Sequence, residues 1–163
     1  MANIGKRYAD AIYDNDKYSD SLKTLFELYN TNEFKDFIGS PKITIIEKCE
    51  VIKSLIKIDD VFLNFVKLLL KENRMNIIGD IYTEYMKMLN KERNILEITI
   101  ISTDKISDRD AKKIAEKYKK KYSAKEVKYK IETDESIIGG IKVIVDGVVY
   151  DDTVKTRLND ILK

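Results

Sequence analysis

Asp134-Glu135 and Asp151-Asp152 are adjacent carboxylate pairs, the side-chain type that general acid–base catalysis uses. Both fall at predicted strand or turn ends. Neighbouring residues on a strand point to opposite faces, so neither pair converges on one substrate, and capping or turn roles fit better. Cys49 is the only cysteine and sits on an apolar helical stripe; the chain has no histidine to activate it, and a small core residue is the expected role. The absence of histidine also removes the commonest general base and the commonest zinc ligand. Gly139-Gly140 raises the question of phosphate binding. A phosphate loop places its glycines between a strand and a helix N-terminus, whereas this pair is flanked by Ile137-Ile138 and Ile141 within a strand pattern. A bulge or a close backbone contact fits better. With no nucleophile–base pair, the expectation is a non-catalytic protein without cofactor or metal.

Two features suit binding rather than catalysis. Residues 105–130 hold 11 basic and four acidic residues, net +7, although the whole chain is only +2. The segment includes Lys112, Lys113, Lys117, Lys119, Lys120, Lys121 and Lys125. It has three readings: a nucleic-acid contact, a solvated helix face, or a patch for an acidic partner protein. The second feature is a predicted fifth helix. Val61, Phe62, Leu63, Phe65, Val66, Leu68, Leu69 and Leu70 cover more than half its circumference, leaving Asp60, Asn64, Lys67 and Lys71 as a narrow polar strip. A helix that packs on one side needs a narrower apolar stripe. Such a helix is either central or packs on its own bundle with one flank and on a partner with the other. The first helix repeats the theme: beside an Ile4/Tyr8/Ala11/Ile12 core face lies a strip of Gly5, Ala9 and Tyr13, small enough for a second helix to approach closely.

Helical periodicity runs through the elements that must position these residues. Leu22, Leu25, Phe26 and Tyr29 mark a second helix; Phe34, Phe37 and Ile38 mark a third, stopped by Gly39-Ser40-Pro41. Thr44 and Glu47 form a capping box before a fourth helix carrying Ile45, Cys49, Ile52 and Ile56. Asp59 or Asp60 caps the fifth, and Ile77 to Leu89 make a sixth. The period changes near Asn94. Leu96–Ile101 alternates as a strand, Ser107 and Asp110 open a helix to about Tyr122, and Val127–Ile131 alternates again. Asp146-Gly147 suits a two-residue hairpin turn between two further strands, and Val154, Leu158, Ile161 and Leu162 end the chain on an amphipathic helix. The fold class is therefore α+β: a six-helix bundle over residues 1–94, then a small β-α-β-β-α domain over 95–163.

At 163 residues, 44% hydrophobic and 36% charged, the chain has the composition of a soluble globular protein of one or two domains. One cysteine excludes an intrachain disulfide framework and fits a reducing compartment. No apolar run has the length to span a membrane. The start, Met1-Ala2-Asn3-Ile4-Gly5-Lys6-Arg7, leads straight into a helical pattern with no signal peptide or presequence, so the chain is expected to act in the cytoplasm.

Several segments, in order, carry a resemblance. Lys6-Arg7-Tyr8-Ala9-Asp10-Ala11-Ile12-Tyr13 resembles an Arg-Tyr-Ala-x-Ala-aromatic opening helix. Ser40-Pro41 with Lys48, Asn64-Phe65-Val66-Lys67-Leu68-Leu69 with Lys71-Glu72-Asn73-Arg74, Asp134-Glu135-Ser136-Ile137-Ile138-Gly139-Gly140-Ile141, and Tyr150-Asp151-Asp152-Thr153 with Arg157-Leu158 follow collinearly. Together they resemble the delta subunits of bacterial F-type ATP synthases, related to the mitochondrial oligomycin-sensitivity-conferring protein. Glu135 stands where the family has proline, and Asp152-Thr153 where it has Gly-Ser; both departures lie in turns.

The resemblance implies a stator adaptor at the cytoplasmic face of a bacterial membrane, peripheral and not self-associating. The helical domain would bind N-terminal helices of the alpha subunits, with Gly5, Tyr8, Ala9, Ile12, Tyr13, Asn64, Leu68, Lys71 and Arg74 as the contact set. The second domain would receive the b subunit near Ile138, Gly139, Gly140, Ile141 and Arg157. The alternative is a nucleic-acid-binding protein using the basic half, for which Tyr129 is the one aromatic placed to stack.

Overall fold

In the computed structural model, the described residues are 4–137 and 139–153, and the chain divides into two compact units, Met1–Leu89 and Asn90–Lys163. The architecture is α+β, with seven α-helices and a four-stranded mixed sheet among the described residues.

The first unit is helical: α1 Ile4–Ile12, α2 Ser19–Tyr29, α3 Asn32–Gly39, α4 Ile45–Leu55, α5 Asp60–Lys71, a 3-10 turn at Met75–Ile77, and α6 Ile78–Glu92, whose last turn passes the division. Local chemistry sets the starts. Thr31 caps α3 by accepting from Phe34 N–H. Thr44 and Glu47 form the capping box of α4, each accepting from the other's backbone N–H. Asp59 caps α5 by accepting from Phe62 N–H at 2.9 Å. α3 runs through Gly39 rather than stopping before it, and Ser40 is its cap. There Lys48, only 9% exposed, donates from Nζ to the Ile38 and Ser40 carbonyls at 2.5 and 2.9 Å. A cation at a helix C-terminus satisfies carbonyls that the helix leaves open. This contact explains why Ser40-Pro41 and Lys48 occur together.

One core joins these helices, built from Leu22, Leu25, Ile52, Phe62, Val66, Leu69, Ile78, Ile81 and Tyr85, none with accessible surface. Cys49 is buried as expected, and burial pushes its thiol pKa up, which disfavours the reactive thiolate. The faces of α1 differ in part from the expected ones: Ile12 is buried and Tyr8 packs on the core as expected, but Gly5 and Ala9 take the places expected for Ile4 and Ala11. Gly5, Ala9 and Ile12 are buried, and Ala9 has 0% exposure, while Ile4 and Ala11 face outward. The anchoring aromatics decide the rotation. Tyr8 lies edge-on to Phe65 with centroids 6.3 Å apart, and Tyr13 packs 5.2 Å from Tyr85. With both rings turned toward the core, Ala9 between them seats against it.

The second unit comprises β1 Ile95–Ser102, α7 Asp108–Lys121, β2 Glu126–Thr133, β3 Gly140–Val145 and β4 Val148–Thr153, in sheet order β2-β1-β3-β4. β1 and β2 are parallel, joined by α7 as the crossover; β3 pairs antiparallel with β1 and β4. Leu96, Ile98 and Ile100 of β1 with Val143 and Val145 of β3 form one face, on which Ala111 and Ala115 of α7 pack with Ile114 and Tyr118. Asp146 and Gly147 both have positive φ, 47° and 83°, as a two-residue hairpin turn requires. The glycine pair straddles the start of a strand: Gly140 is the first residue of β3, paired with Thr153, and Gly139 precedes it. An Asp134 carboxylate accepts from Ser136 N–H at 2.9 Å, making a turn, and Gly139 and Gly140 follow at φ 115° and 91° as the entry to β3. The expected C-terminal helix of Val154, Leu158, Ile161 and Leu162, together with Ile138 and Arg157, lies outside the described residues.

Candidate partner-binding site

α1 and α5 meet along Tyr8. Besides touching Phe65, its hydroxyl accepts a hydrogen bond from Arg74 Nη1 at 2.9 Å, and the Arg74 guanidinium lies 5.7 Å from the Tyr8 ring centroid. A guanidinium over a tyrosine face is held by the ring quadrupole as well as by the hydrogen bond. Tyr8 and Arg74, 66 positions apart, are thereby fixed as a half-buried pair. On α5, Phe62, Phe65, Val66 and Leu69 are buried. Val61, Asn64, Leu68 and Lys71 recur at three- and four-residue spacing and form one exposed row, with Val61 59% and Leu68 45% exposed. The wide apolar circumference of α5 thus resolves into a core face and an outward row in which two aliphatic side chains face water.

Of the nine residues expected to face a partner here, the structure leaves Asn64, Leu68 and Lys71 exposed and Tyr8, Tyr13 and Arg74 half-buried. Gly5, Ala9 and Ile12 are core residues, so their small or aliphatic side chains close the bundle from within. Ile4 and Val61 are exposed apolar residues that the expected set omitted. Val61 was recognisable by its place in the 61/64/68/71 row; Ile4 was not, because its exposure depends on the rotation of α1.

The end of this helix pair is held by charge and hydrogen bonds. The Asp59 carboxylate, besides capping α5, accepts from Tyr18 Oη at 2.9 Å and pairs with Lys17 Nζ at 2.9 Å. The Phe62 N–H and Lys17 hold its pKa down at about 2, below the usual carboxylate range. Tyr85 donates to the Asn15 carbonyl at 2.5 Å and accepts from Tyr18 N–H at 3.3 Å, fixing the α1–α2 connection; burial pushes its phenol pKa up.

In the second unit, Gly139 and Ile141 are half-buried and Gly140 is exposed at the start of β3. Thr103 donates to the Ile137 carbonyl at 2.6 Å, tying the β1 exit to this entry. No group of three or more carboxylate or cysteine side chains among the described residues could hold a metal ion, and no helix among them is long and apolar enough to cross a membrane.

These features describe a two-unit α+β protein whose helical unit presents an exposed row with apolar members on α5. The family model described as "ATP synthase delta (OSCP) subunit" matches residues 4–163, and the chain belongs to that family of stator components of F-type ATP synthases. It is 34% identical over 168 residues to the ATP synthase subunit delta of Acetivibrio thermocellus, covering 97% of this chain and 94% of the relative. It is 32% identical over 169 residues to that of Ruminiclostridium cellulolyticum, covering 99% and 97%. A chain in the cryo-EM structure of the Toxoplasma gondii mitochondrial ATP synthase hexamer has a similar fold. There the TM-score is 0.74 at 20% identity, over 98% of this chain and 95% of that one. Nothing in these comparisons favours the nucleic-acid alternative.

Proposed function

We propose that the helical domain, residues 1–94, binds an amphipathic N-terminal helix of the alpha subunit along α1 and α5, and that the domain at 95–163 receives the end of the b-subunit peripheral stalk. The observation that carries this reading is the exposed Val61/Asn64/Leu68/Lys71 row beside the Tyr8–Arg74 pair. An apolar row with polar members at helical spacing suits helix-in-groove recognition, in which side chains at i, i+3, i+4 and i+7 interlock. Ile4 extends the apolar surface on α1. The contact set retained from the sequence is Tyr8, Tyr13, Asn64, Leu68, Lys71 and Arg74, with Gly5, Ala9 and Ile12 supporting it from the core side.

A rotary complex needs its catalytic head held against the torque of its rotor. A two-domain bridge meets that need mechanically. Once one domain is bound, the second binds at high effective concentration, so two moderate interfaces retain the chain strongly. On this reading the chain is peripheral, attached through the complex at the cytoplasmic face of a bacterial membrane, and acts as a single copy. The Gly139-Gly140-Ile141 segment at the entry to β3, with Ile138 and Arg157, contributes to the stalk contact. The test is purification of the tagged full chain from gently solubilised membranes: alpha and b subunits should accompany it in fixed ratio. Recovery of the chain alone, with both subunits in the unbound fraction, would overturn the proposal.

A further inference from the structure

The outward face of α7 carries Arg109, Lys112, Lys113, Lys117 and Lys120, interrupted only by Glu116, along a shallow trough of about 600 Å³. At 100° per residue these positions share one strip opposite Ala111 and Ala115, which pack on the sheet. From Arg109 to Lys120 the row is roughly 16 Å long. Lys113 pairs with Asp110 at 3.4 Å and Glu116 with Lys119 at 3.9 Å. Arg109, Lys112, Lys117 and Lys120 make no ion pair within 4 Å among the described residues.

Local helix physics explains the ends of α7: Asp108 and Asp110 in the first turn and Lys119, Lys120 and Lys121 in the last suit the helix dipole. It does not explain the middle of the row, where the dipole gives no preference and where the like charges Arg109/Lys113 and Lys113/Lys117 stand at i,i+4 against the opposite charges Asp108/Lys112 and Glu116/Lys120. Four cations of the row make no ion pair among the described residues, and a complementary anion outside the chain would use them.

We infer that the α7 row docks an acidic helix of the peripheral-stalk subunit, one presenting carboxylates at three- and four-residue spacing along a single face. The inference rests on the proposed stalk role of residues 95–163 and names the surface and the chemistry of that contact. A protein helix fits better than the other polyanions. The apolar face of α7 is occupied by the sheet, which leaves no apolar side chains to enter a lipid surface. The row also lacks stacking aromatics for a nucleic acid. Tyr118 packs inward, the Tyr122 and Tyr150 hydroxyls bond one another, and Tyr129 lies on β2. A straight row of cations on one helix matches a second helix laid alongside it.

The experiment titrates the full chain with the extramembrane part of the b-type stalk subunit from the same complex, at 50 and 300 mM salt. Two further probes are a random-sequence 20-base-pair duplex and vesicles containing 30% anionic lipid. One variant, Lys112→Gln/Lys117→Gln/Lys120→Gln, removes three charges from the row. A control, Lys105→Gln/Lys125→Gln/Lys130→Gln, removes three elsewhere in the same unit. Each lost pair should weaken binding about threefold at low salt, so the row variant should bind the stalk subunit roughly thirtyfold more weakly, with most of the salt dependence gone. The control should change by about threefold or less, and the row variant should melt close to wild type, since relief of the Lys113/Lys117 repulsion offsets the loss of Lys120 from the last turn. If it melts lower, Lys117→Gln alone carries the test at about threefold. Stalk binding that is strong in wild type and equal in both variants would overturn the docking surface while leaving the stalk role intact. No stalk binding by wild type would overturn both. Loss of duplex or vesicle binding in the row variant, with stalk binding unchanged, would overturn the inference in favour of that polyanion.

Discussion

Ala9→Glu and Leu68→Glu separate the inner and outer faces of the α1–α5 pair, because the same charge is placed on opposite sides of one interface. Ala9 has no exposed surface and lies in the core with Ile12, Phe62 and Phe65. A glutamate there exceeds the available volume, a cost of about 1–3 kcal/mol, and carries a polar group from water into an apolar site, about 1–3 kcal/mol more on the mutational scale. The expected loss of about 4 kcal/mol is a large part of the 5–15 kcal/mol that typically holds a domain folded. Leu68 is 45% exposed. Full burial of a leucine is worth about 1.5–3 kcal/mol, so replacing a half-exposed one costs the fold about 1 kcal/mol. In the complex it would lose a centrally placed contact, on the order of 2 kcal/mol or roughly thirtyfold in affinity for an alpha N-terminal peptide. Urea unfolding of the full chain by far-ultraviolet circular dichroism reads stability, since six of the seven described helices belong to the first unit. Peptide titration reads binding. Ala9→Glu should lose much of its helix signal at low denaturant, and Leu68→Glu should keep its fold and lose the peptide. A stable Ala9→Glu protein would mean that α1 is rotated from its described position. Unchanged peptide affinity in Leu68→Glu would move the groove elsewhere.

Two further perturbations follow from the same helices. Tyr85→Phe leaves the Tyr18 N–H without the hydroxyl it donates to and removes the bond to the Asn15 carbonyl, so it should destabilise the first unit by about 1–3 kcal/mol; an unchanged urea midpoint would refute that role. Asp59 has a folded pKa of about 2, depressed from 3.8, so its stabilisation is fully present above about pH 4 and is lost as pH falls from there through 2. In urea midpoints measured from pH 5 to pH 2, wild type should therefore fall more steeply than Asp59→Asn, which keeps an oxygen for the Phe62 N–H but does not titrate; parallel curves would contradict this.

Where chemistry is local, the sequence was legible. Thr44 with Glu47, Asp59 before an apolar run, and Asp146-Gly147 between alternating segments each announce an element end, because a short side chain satisfies a backbone group or a residue tolerates positive φ. The α1 faces were not legible, because Gly5 and Ala9 carry almost no hydrophobic signal. Their burial is imposed by Tyr8 and Tyr13, which are anchored by Phe65, Arg74 and Tyr85 far along the chain. The glycine pair looked internal to a strand because isoleucines flank it; the Asp134–Ser136 turn, a hydrogen-bonding feature, delays β3 to Gly140. The compact units divide at Leu89/Asn90, ahead of the change of period near Asn94. The Asn90 side chain, in the last turn of α6, bonds to Glu97 of β1 and Lys128 of β2, and no periodicity reports such a contact. Within the binding set, α5 gave up its exposed row readily, since Val61, Asn64, Leu68 and Lys71 share a face whatever surrounds them.

ATP-driven ion pumping by membranes from cells lacking this chain tests the stator role most directly. Without the bridge, ATP hydrolysis by the head should continue while pumping is lost, because the head turns with its rotor; adding back the full chain should restore pumping without accelerating hydrolysis. Full pumping in the chain's absence would contradict it.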